Sequence, residues 1–540
     1  MPSQASTSRG AVSAGPLGLR LAATVVGVAF AFPAIYLVWR NFTSSTDPLG
    51  ILFSDRTLGP LRRSLTLAVL VSMSTAVLGT WLAFVTTRTD VVAQKLLRVL
   101  LPLPLVYPTF VGAAAFIRTL SPGGIASDIL QTVGVEQRFE LRGLLGAWLV
   151  LTLFTYPYVY LPVAARLRHL PGSVEESARL LGDTGLQAFR RVVLPQIAGA
   201  ISAGSLLVFL YAVSDFGAVQ LMRYDTLTRA IWTTRLNNQR VSLALSLILL
   251  VVAAIAVVAE RSAERRFVVP ARARAGAPLK SSLGNWRVPT TLGVWVVVFL
   301  GLVAPAVALG DWAITGIVRS ARGERSLFID AGDIVEPTVN TAVSSAVTAF
   351  IAVLAVLPVA FLVGRYRSRV GEASNAVVLS TFAMPGLLIA LSIFFWTGEI
   401  QWAKENLRGT FALLIFAYVV RFGAQAIGSA QVATGNVPAR LGDAAQMLGA
   451  GRFRRFLTID LPIMAPGLLA GAGLVLLATM KELPITLFIA PFDFPTLTTK
   501  TFLNFEDAFV AEAGIFALVL VALSALLTWL LVIRRADHLS

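Results

Sequence analysis

The chain of 540 residues contains no cysteine, two histidines and only 14% charged residues. The lack of cysteine excludes disulfides, thiolate chemistry and Cys-based metal sites, and His169 and His538 alone cannot build a His-rich metal cage. No Gly-Lys pair occurs, so the P-loop that binds ATP is missing. No polar stretch is long enough for a soluble catalytic domain, and no Cys nucleophile, H-E-x-x-H helix or clear Ser/His/Asp set is present. We therefore expect a chain that is not an enzyme and binds no cofactor.

Apolar residues, by contrast, make up 56% of the chain, and the mean hydropathy is +0.76. These values are typical of polytopic membrane proteins. A membrane-spanning helix needs about 20 mainly apolar residues. Such runs fall at 21–39, 64–87, 99–117, 143–165, 192–214, 241–259, 288–310, 337–364, 373–398, 409–430 (interrupted by Arg421), 461–480 and 513–533. The sequence thus predicts an all-α membrane protein with about 12 transmembrane helices, six in each half.

The net charge of +16 is explained by the tendency of cytoplasmic loops to collect Lys and Arg. Because no basic domain is present, nucleic acid is not expected as a partner. Residues 260–288 hold seven Lys or Arg residues and read as a cytoplasmic linker between two six-helix units, 1–259 and 289–540. With six spans on each side of this linker, both termini are also predicted to lie in the cytoplasm.

A short polar motif occurs twice, at 171–195 and at 438–462, with a constant offset of 267 residues. The acids Glu176 and Asp443 correspond to each other. The identical pairs are Pro171/Pro438, Ala178/Ala445, Leu181/Leu448, Gly182/Gly449, Phe189/Phe456, Leu194/Leu461 and Pro195/Pro462. Both copies lie in charged segments between apolar spans, where chance agreement is rare. A repeated cytoplasmic loop in a membrane protein indicates two docking surfaces for two copies of a partner.

The motif predicts a short amphipathic helix in each copy. Val174, Ala178 and Leu181, like Leu441, Ala445 and Leu448, have the spacing i, i+4, i+7 that places them on one helical face. Glu175, Glu176 and Arg179 are predicted to lie on the other side of the first helix. Gly182 and Gly449 are suited to end the helices in a left-handed conformation, and Pro195 and Pro462 to begin the next apolar helices.

The halves also match at Pro108 and Pro385, which are 277 residues apart. The fall of the offset from 277 to 267 places about ten extra residues in the first half, in the 118–142 region. We expect the halves to descend from one six-helix unit and to be related by a pseudo-twofold axis along the membrane normal.

The pattern acid-x-Ala-x-x-Leu-Gly, followed after eleven residues by Leu-Pro, resembles the cytoplasmic loop of permease subunits of bacterial ABC importers. The resemblance implies a multi-pass protein of the bacterial inner membrane whose two loops are coupling helices. Each would dock on one of two ATPase subunits, which bind ATP and Mg²⁺, and an extracytoplasmic binding protein would deliver the cargo. The implied coupling residues are Glu176, Ala178, Leu181, Gly182, Pro195, Asp443, Ala445, Leu448, Gly449 and Pro462. The second copy departs at Gly442, which stands in place of Glu175, so the two docking sites are expected to differ in strength.

Two acids, Asp215 and Glu482, recur at the offset of 267, each at the end of a corresponding helix. A helix rising about 30 Å from Pro195 would place Asp215 near the outer mouth of the membrane. Carboxylates suit hard cations, so the two acids are candidates to receive a ferric ion; the alternative is that each braces a helix end, against Lys481 or Arg223. No firm metal site is visible.

Segments around these acids, including the Thr-Leu-Thr at 226–228 and 496–498, resemble the fused permeases of ferric iron importers. Thiamine importers share the double-unit design, and phosphonate and sulfate permeases are more distant relatives, so these cargoes remain open. The main rival is an ion-coupled secondary transporter, for which Arg421 would be the intramembrane charge. That class gives no reason for two matched coupling loops, and Arg421 is more simply explained by packing against a backbone carbonyl or by its side chain reaching to a membrane interface.

Overall fold

The computed structural model describes residues 15–43, 50–51, 54–120, 141–235, 237–266, 281–324, 327 and 329–530. Within these ranges the chain is helical and has no strand, apart from one isolated parallel bridge between Thr89 and Ser281. The all-α prediction is therefore confirmed. Most of the 118–142 region, which was predicted to hold the extra residues of the first half, lies outside the described residues.

The helices of the first half alternate long apolar segments with short connecting ones. They are α1 (Leu17–Thr43), α2 (Asp55–Arg88), α3 (Gln94–Leu100), α4 (Thr109–Leu120), α5 (Gly143–Thr155), α6 (Pro157–Arg168), α7 (Gly172–Leu180), α8 (Gly185–Ala188), α9 (Leu194–Ser214), α10 (Gly217–Leu221), α11 (Leu227–Thr234) and α12 (Gln239–Arg266).

The second half repeats this alternation. Its helices are α13 (Arg287–Val298), α14 (Ala304–Ala321), α15 (Ala331–Phe361), α16 (Arg369–Thr381), α17 (Gly386–Glu399), α18 (Gln401–Asn406), α19 (Phe411–Gly435), α20 (Ala439–Met447), α21 (Arg452–Arg455), α22 (Leu461–Thr479), α23 (Pro484–Ile489), α24 (Leu497–Glu506) and α25 (Val510–Thr528). π-Helical turns at 189–193 and 456–460 lead into α9 and α22.

Among the described residues, ten helices are long and apolar enough to cross a bilayer, and the number rises to 12 if two bent pairs each count as one span. The bent pairs are Gln94–Val106 with Thr109–Leu120 (96°) and Arg369–Thr381 with Gly386–Glu399 (103°). The apolar runs 99–117 and 373–398, predicted as continuous helices, are thus broken. The breaks fall at Pro108 and Pro385, since proline cannot donate a backbone hydrogen bond and disfavours helical conformation in the residue before it.

The chain folds into two compact units that do not follow the two halves of the sequence. One unit comprises residues up to Tyr36 together with Thr341–Asp493, and the other comprises Leu37–Asn340 together with the residues from Phe494 onward. Each unit therefore contains segments from both sides of the linker. The division of the sequence at 260–288 describes the repeat, and it stays a prediction about the origin of the chain.

Glycines allow the helices inside each unit to approach closely, as is usual in membranes, where small residues line helix contacts. In the Leu37–Asn340 unit, a Cβ added at Gly204 of α9 would come within 2.8 Å of the carbonyl oxygen of Tyr158 and of the Cα of Val159 on α6. In the Thr341–Asp493 unit, a Cβ added at Gly467 of α22 would come within 2.8 Å of the Cβ of Ala433 on α19. Close packing at these glycines leaves no room for a side chain.

We expect Gly204→Ala to lower the free energy of unfolding by about 1–3 kcal/mol, because the added methyl group would meet backbone atoms that cannot turn away. Gly310→Ala on α14 is the matched control, since a Cβ there has no atom within 4 Å. The thermal unfolding midpoint of the detergent-solubilised protein measures both. Equal midpoints for the two variants would contradict the close approach of α9 and α6.

Candidate functional site

The first copy of the repeated motif forms the helix α7, which begins after the extended Pro171 and ends at Leu180, with Leu181 as its C-cap residue. Gly182 follows with a φ of +97°, the left-handed conformation that glycine adopts readily. The Gly182 N–H donates to the Arg179 carbonyl at 3.0 Å, and the Asp183 N–H donates to the Ala178 carbonyl at 3.1 Å. This pair of hydrogen bonds is the Schellman arrangement, so the predicted role of Gly182 as a helix stop is confirmed.

The second copy, α20, ends in the same way. Gly449 has a φ of +75°, and its N–H donates to the Gln446 carbonyl at 3.0 Å. The Ala450 N–H donates to the Ala445 carbonyl at 2.9 Å. Asp443 lies within this helix, between its first and last turns. The two loops thus share one backbone design.

Pro195 and Pro462 each lie in the first turn of the membrane helix that follows, α9 and α22 respectively, where proline was predicted. A π-helical turn runs directly into each of these helices, so the missing proline N–H falls where the regular α-helical hydrogen-bond pattern is already interrupted. The two copies thus share both the proline and the π-helical turn before it.

Each helix presents two large apolar side chains at its C-terminal tip. Leu180 and Leu181 are 88% and 89% exposed, and Met447 and Leu448 are 89% and 87% exposed. Leu181 and Leu448 were predicted to share one helical face with Ala178 and Ala445, yet the two alanines are buried whereas both leucines follow the last helical residue and are exposed. An exposed apolar pair on a rigid turn is suited to enter an apolar cleft of a partner.

Glu175 corrects the sequence analysis in a second respect. It was predicted to lie with Glu176 and Arg179 on the side of α7 opposite the apolar residues, yet Glu175 is buried whereas Glu176 is exposed. Its carboxylate lies 2.7 Å from a guanidinium nitrogen of Arg179 and 3.7 Å from one of Arg88, the buried last residue of α2. No local pattern around Glu175 predicts this pair, because Arg88 lies 87 residues earlier in the chain.

The end of the linker is fixed beside this first loop. The Ser281 N–H donates to the Arg88 carbonyl at 2.8 Å, and an Arg179 nitrogen donates to Ser281 Oγ at 3.2 Å. The Leu283 N–H donates to Asp90 Oδ1 at 2.9 Å and holds the pKa of that carboxyl below its ordinary value. The described end of the predicted linker is therefore part of the structure around α7.

Asp215 lies buried at the end of α9, and both oxygens of its carboxylate accept hydrogen bonds. Thr109 Oγ1 donates to Oδ1 at 2.6 Å, and the N–H groups of Ala218 and Val219 donate to Oδ2 at 3.0 and 3.3 Å. Thr109 is the residue directly after the break at Pro108. The acid thus ties the broken span to the start of α10, and these contacts favour the bracing role among the two that the sequence left open.

Glu482 occupies the corresponding place in the other unit. Its Oε1 accepts from the Ile485 N–H at 3.2 Å, and a Cβ added at Gly386, the residue after Pro385, would lie 2.5 Å from Oε1. Arg421 donates to the carbonyls of Phe382 and Met384 at 2.9 and 2.7 Å, just before the same break. The contact of Arg421 with backbone carbonyls is therefore confirmed.

The two breaks use different residues for the same brace. Thr109 corresponds to Gly386 at the offset of 277, as Asp215 does to Glu482 at 267. In one break a threonine hydroxyl meets the shorter acid, and in the other the longer acid fills the space that glycine leaves. Within the described residues no group of three or more His, Cys, Asp or Glu side chains is arranged to hold a metal ion.

We expect Gly386→Ala to lower the unfolding midpoint, because its methyl group would collide with Glu482 Oε1, at a cost of about 1–3 kcal/mol. Adding Glu482→Asp shortens the acid and should recover most of that loss, so the two changes are non-additive. Gly398→Ala, in the same helix with only a 3.9 Å neighbour, should have little effect. Simple additivity of the two changes would argue against this contact.

Comparison with known proteins identifies the repeated unit. The chain matches the family described as binding-protein-dependent transport system inner membrane component twice, over residues 48–269 and 356–536. It is 28% identical over 523 residues to the Fe(3+)-transport system permease protein FbpB 2 of Haemophilus influenzae, covering 96% of this chain and 98% of that protein.

Shorter matches extend to permeases that are named for other cargoes. The sulfate transport system permease CysT of Salmonella typhimurium is 32% identical over 152 residues, 28% of this chain and 54% of that protein. The molybdenum transport system permease ModB of Mycobacterium tuberculosis is 28% identical over 225 residues, 41% of this chain and 80% of that protein. With two family units in one helical chain, the protein belongs to the inner-membrane permeases of bacterial binding-protein-dependent ABC importers.

Proposed function

We propose that this chain is the complete membrane pathway of an importer for ferric iron, driven by two separate ATPase subunits. An extracytoplasmic binding protein delivers the cargo, and ATP with Mg²⁺ is bound by the ATPases. The single observation that carries the ATPase part is the pair of loops with the same Schellman turn and the same exposed apolar tip. Both loops and both termini lie in the cytoplasm in this proposal.

The residues of each coupling loop have different roles in this proposal. Ala178 and Ala445 face the protein, Gly182 and Gly449 set the turn, and Pro195 and Pro462 begin the membrane helix. Leu181 and Leu448, with Leu180 and Met447 beside them, enter the ATPase cleft. Glu176, which is exposed, and Asp443 contact polar groups at the cleft rim.

Transport follows an alternating-access cycle in this scheme. Closure of the ATPases on ATP displaces the two coupling helices, and the π-helical turns at 189–193 and 456–460 pass the displacement to α9 and α22. α9 and α22 end close to Asp215 and Glu482, the two acids that contact the residues directly after the breaks at Pro108 and Pro385. Hydrolysis resets the cycle. A break in a spanning helix is where substrate sites are commonly found in transporters, so cargo is expected to pass the breaks at Pro108 and Pro385.

Ferric iron is the preferred cargo because the full-length similarity is to a ferric iron permease. Sulfate and molybdate form the second candidate class, supported by the shorter matches to CysT and ModB. The Asp215 carboxylate accepts hydrogen bonds from Thr109 and two N–H groups, so it is poorly suited to bind a bare cation. We therefore propose that Asp215 lies at the translocation mouth without coordinating the cargo.

The docking proposal is tested with Leu181→Asp and Leu448→Asp, each alone and combined. Because both side chains are almost fully exposed, the variants should reach the membrane normally, yet each should weaken capture of the purified cognate ATPase at least tenfold. Phe492→Asp, an equally exposed apolar residue outside both loops, is the control and should retain capture. Normal ATPase capture by the double variant would refute the docking role.

A stricter variant addresses the turn itself. Gly182→Pro with Gly449→Pro removes both left-handed turns, because proline fixes φ near −65°. We expect loss of ATP-dependent uptake with the protein still present in the membrane. Uptake that survives both changes would leave the coupling role without support.

The cargo is tested by uptake of radiolabelled ferric iron in cells with and without this chain, with labelled sulfate, molybdate and thiamine in parallel. We expect iron uptake alone to depend on the chain and to stop on ATP depletion. Chain-dependent uptake of an oxyanion or of thiamine, with iron uptake unchanged, would replace the cargo and leave the permease assignment intact.

A further inference from the structure

An arginine stands next to the coupling helix in both units, fully buried at Arg88 and mostly buried at Arg365. Arg88 and Arg365 correspond at the offset of 277 that also relates Pro108 to Pro385. Arg88 is 1% exposed, and its Nη2 donates to the carbonyls of Leu167 and Leu170 at 3.1 and 2.8 Å, in the chain just before α7. A buried guanidinium requires an acid nearby, because an uncompensated charge in a protein interior is costly.

In the first copy, the acid that compensates Arg88 lies inside the coupling helix. Glu175 is 3.7 Å from Arg88 and 2.7 Å from Arg179, one turn further along α7. Glu175 and Arg179 therefore both belong to the coupling helix, whereas Arg88, the arginine that recurs in the other copy, belongs to α2. The ion pair joins the coupling helix directly to a membrane-spanning helix.

The coupling helix of the second copy has neither of these charges. Gly442 stands in place of Glu175 and Gln446 in place of Arg179, at the offset of 267. The acid is Asp460, at 3.8 Å from Arg365 and 3.4 Å from Arg455. Asp460 and Arg455 lie in the segment that leads into α22, at positions where the first copy has Val193 and Ala188, both buried.

Gly442 is shaped to this second arrangement. A Cβ added there would lie 2.8 Å from Cζ and Nη1 of Arg455 and 2.9 Å from Nη2 of Arg365. The two guanidinium groups thus occupy the space into which a side chain at position 442 would project. The coupling helix α20 is held through the close packing of Gly442 on these groups, whereas α7 is held through the charge of Glu175.

We propose that Arg88 and Arg365 are positioning residues that fix the two coupling helices to the membrane domain. Each acts in a cluster of three charges, and the acid and the second arginine of that cluster lie at different sequence positions in the two copies. The members are Arg88, Glu175 and Arg179 in the first cluster, and Arg365, Arg455 and Asp460 in the second. This inference rests on the proposed role of the loops as coupling helices, but the anchoring itself is a property of the chain alone. The first anchor acts through a charge on the coupling helix, and the second through the packing of Gly442 on the two guanidinium groups.

The test uses the absence of native cysteine, which makes single-cysteine spin labels unambiguous. Ser177→Cys in α7 and Ala444→Cys in α20 are corresponding, exposed positions. We expect Glu175→Gln to increase the label mobility at least twofold at position 177 and to leave position 444 unchanged. Asp460→Asn should do the opposite. The chain is studied in lipid nanodiscs without any ATPase.

A transplant distinguishes the anchor from a general loss of stability. In the Glu175→Gly background, Arg179→Gln, Ala188→Arg and Val193→Asp give the first copy the charges of the second. We expect this variant to restore wild-type mobility at position 177, whereas Glu175→Gly alone should not. Elution as a single species in size-exclusion chromatography confirms that each variant is folded, and Glu175→Gln serves as the reference if the transplant does not fold.

Unchanged mobility at position 177 in a folded Glu175→Gln variant would overturn the anchor, as would equal effects at both labels. Failure of the coupling role gives a different pattern, because the wild-type chain would then capture no ATPase while the label results stay as expected. The ferric, oxyanion and thiamine outcomes of the uptake experiment have no bearing on either reading.

Discussion

Every backbone polar group inside a bilayer has to find its partner within the protein, and this constraint governs the rest of the structure. Two spans violate the simplest solution, because proline interrupts them at Pro108 and Pro385. Before one break, Arg421 donates to the carbonyls of Phe382 and Met384. Asp215 and Glu482 accept N–H groups at the starts of the short helices that follow α9 and α22. The acids and the arginine thus supply partners for backbone groups that the interrupted helices leave without one.

The need for every buried polar or charged group to have a partner also explains where the two halves differ. Buried charges come in compensated sets, so one member cannot change without the others. At the breaks, Thr109 with Asp215 corresponds to Gly386 with Glu482, and a change of acid length is matched by a change of the residue it touches. Around the coupling helices, Arg88 and Arg365 stay constant while the acid shifts from position 175 in one copy to position 460 in the other.

Local sequence features predicted the parts of this structure that depend on local physics. Apolar runs located most membrane spans, the glycines at 182 and 449 predicted the helix stops, and the prolines at 195 and 462 predicted the next helix starts. The breaks were missed, since hydropathy does not change at Pro108 or Pro385. The burial of Glu175 was missed because its partner Arg88 is distant in sequence, and helical periodicity failed for Leu181 and Leu448 because the helix ends before them.

The fixed end of the linker at Ser281 and Leu283 has a consequence for how such a protein is made. A connection that contributed only length could be cut or replaced freely, whereas this one contributes a main-chain hydrogen bond beside the first loop. Synthesis as one polypeptide supplies the two halves in equal numbers. Because the two halves are encoded at separate positions of one sequence, each can change without the other, as Glu175 and Gly442 do. Two copies of a single self-pairing subunit would always change together.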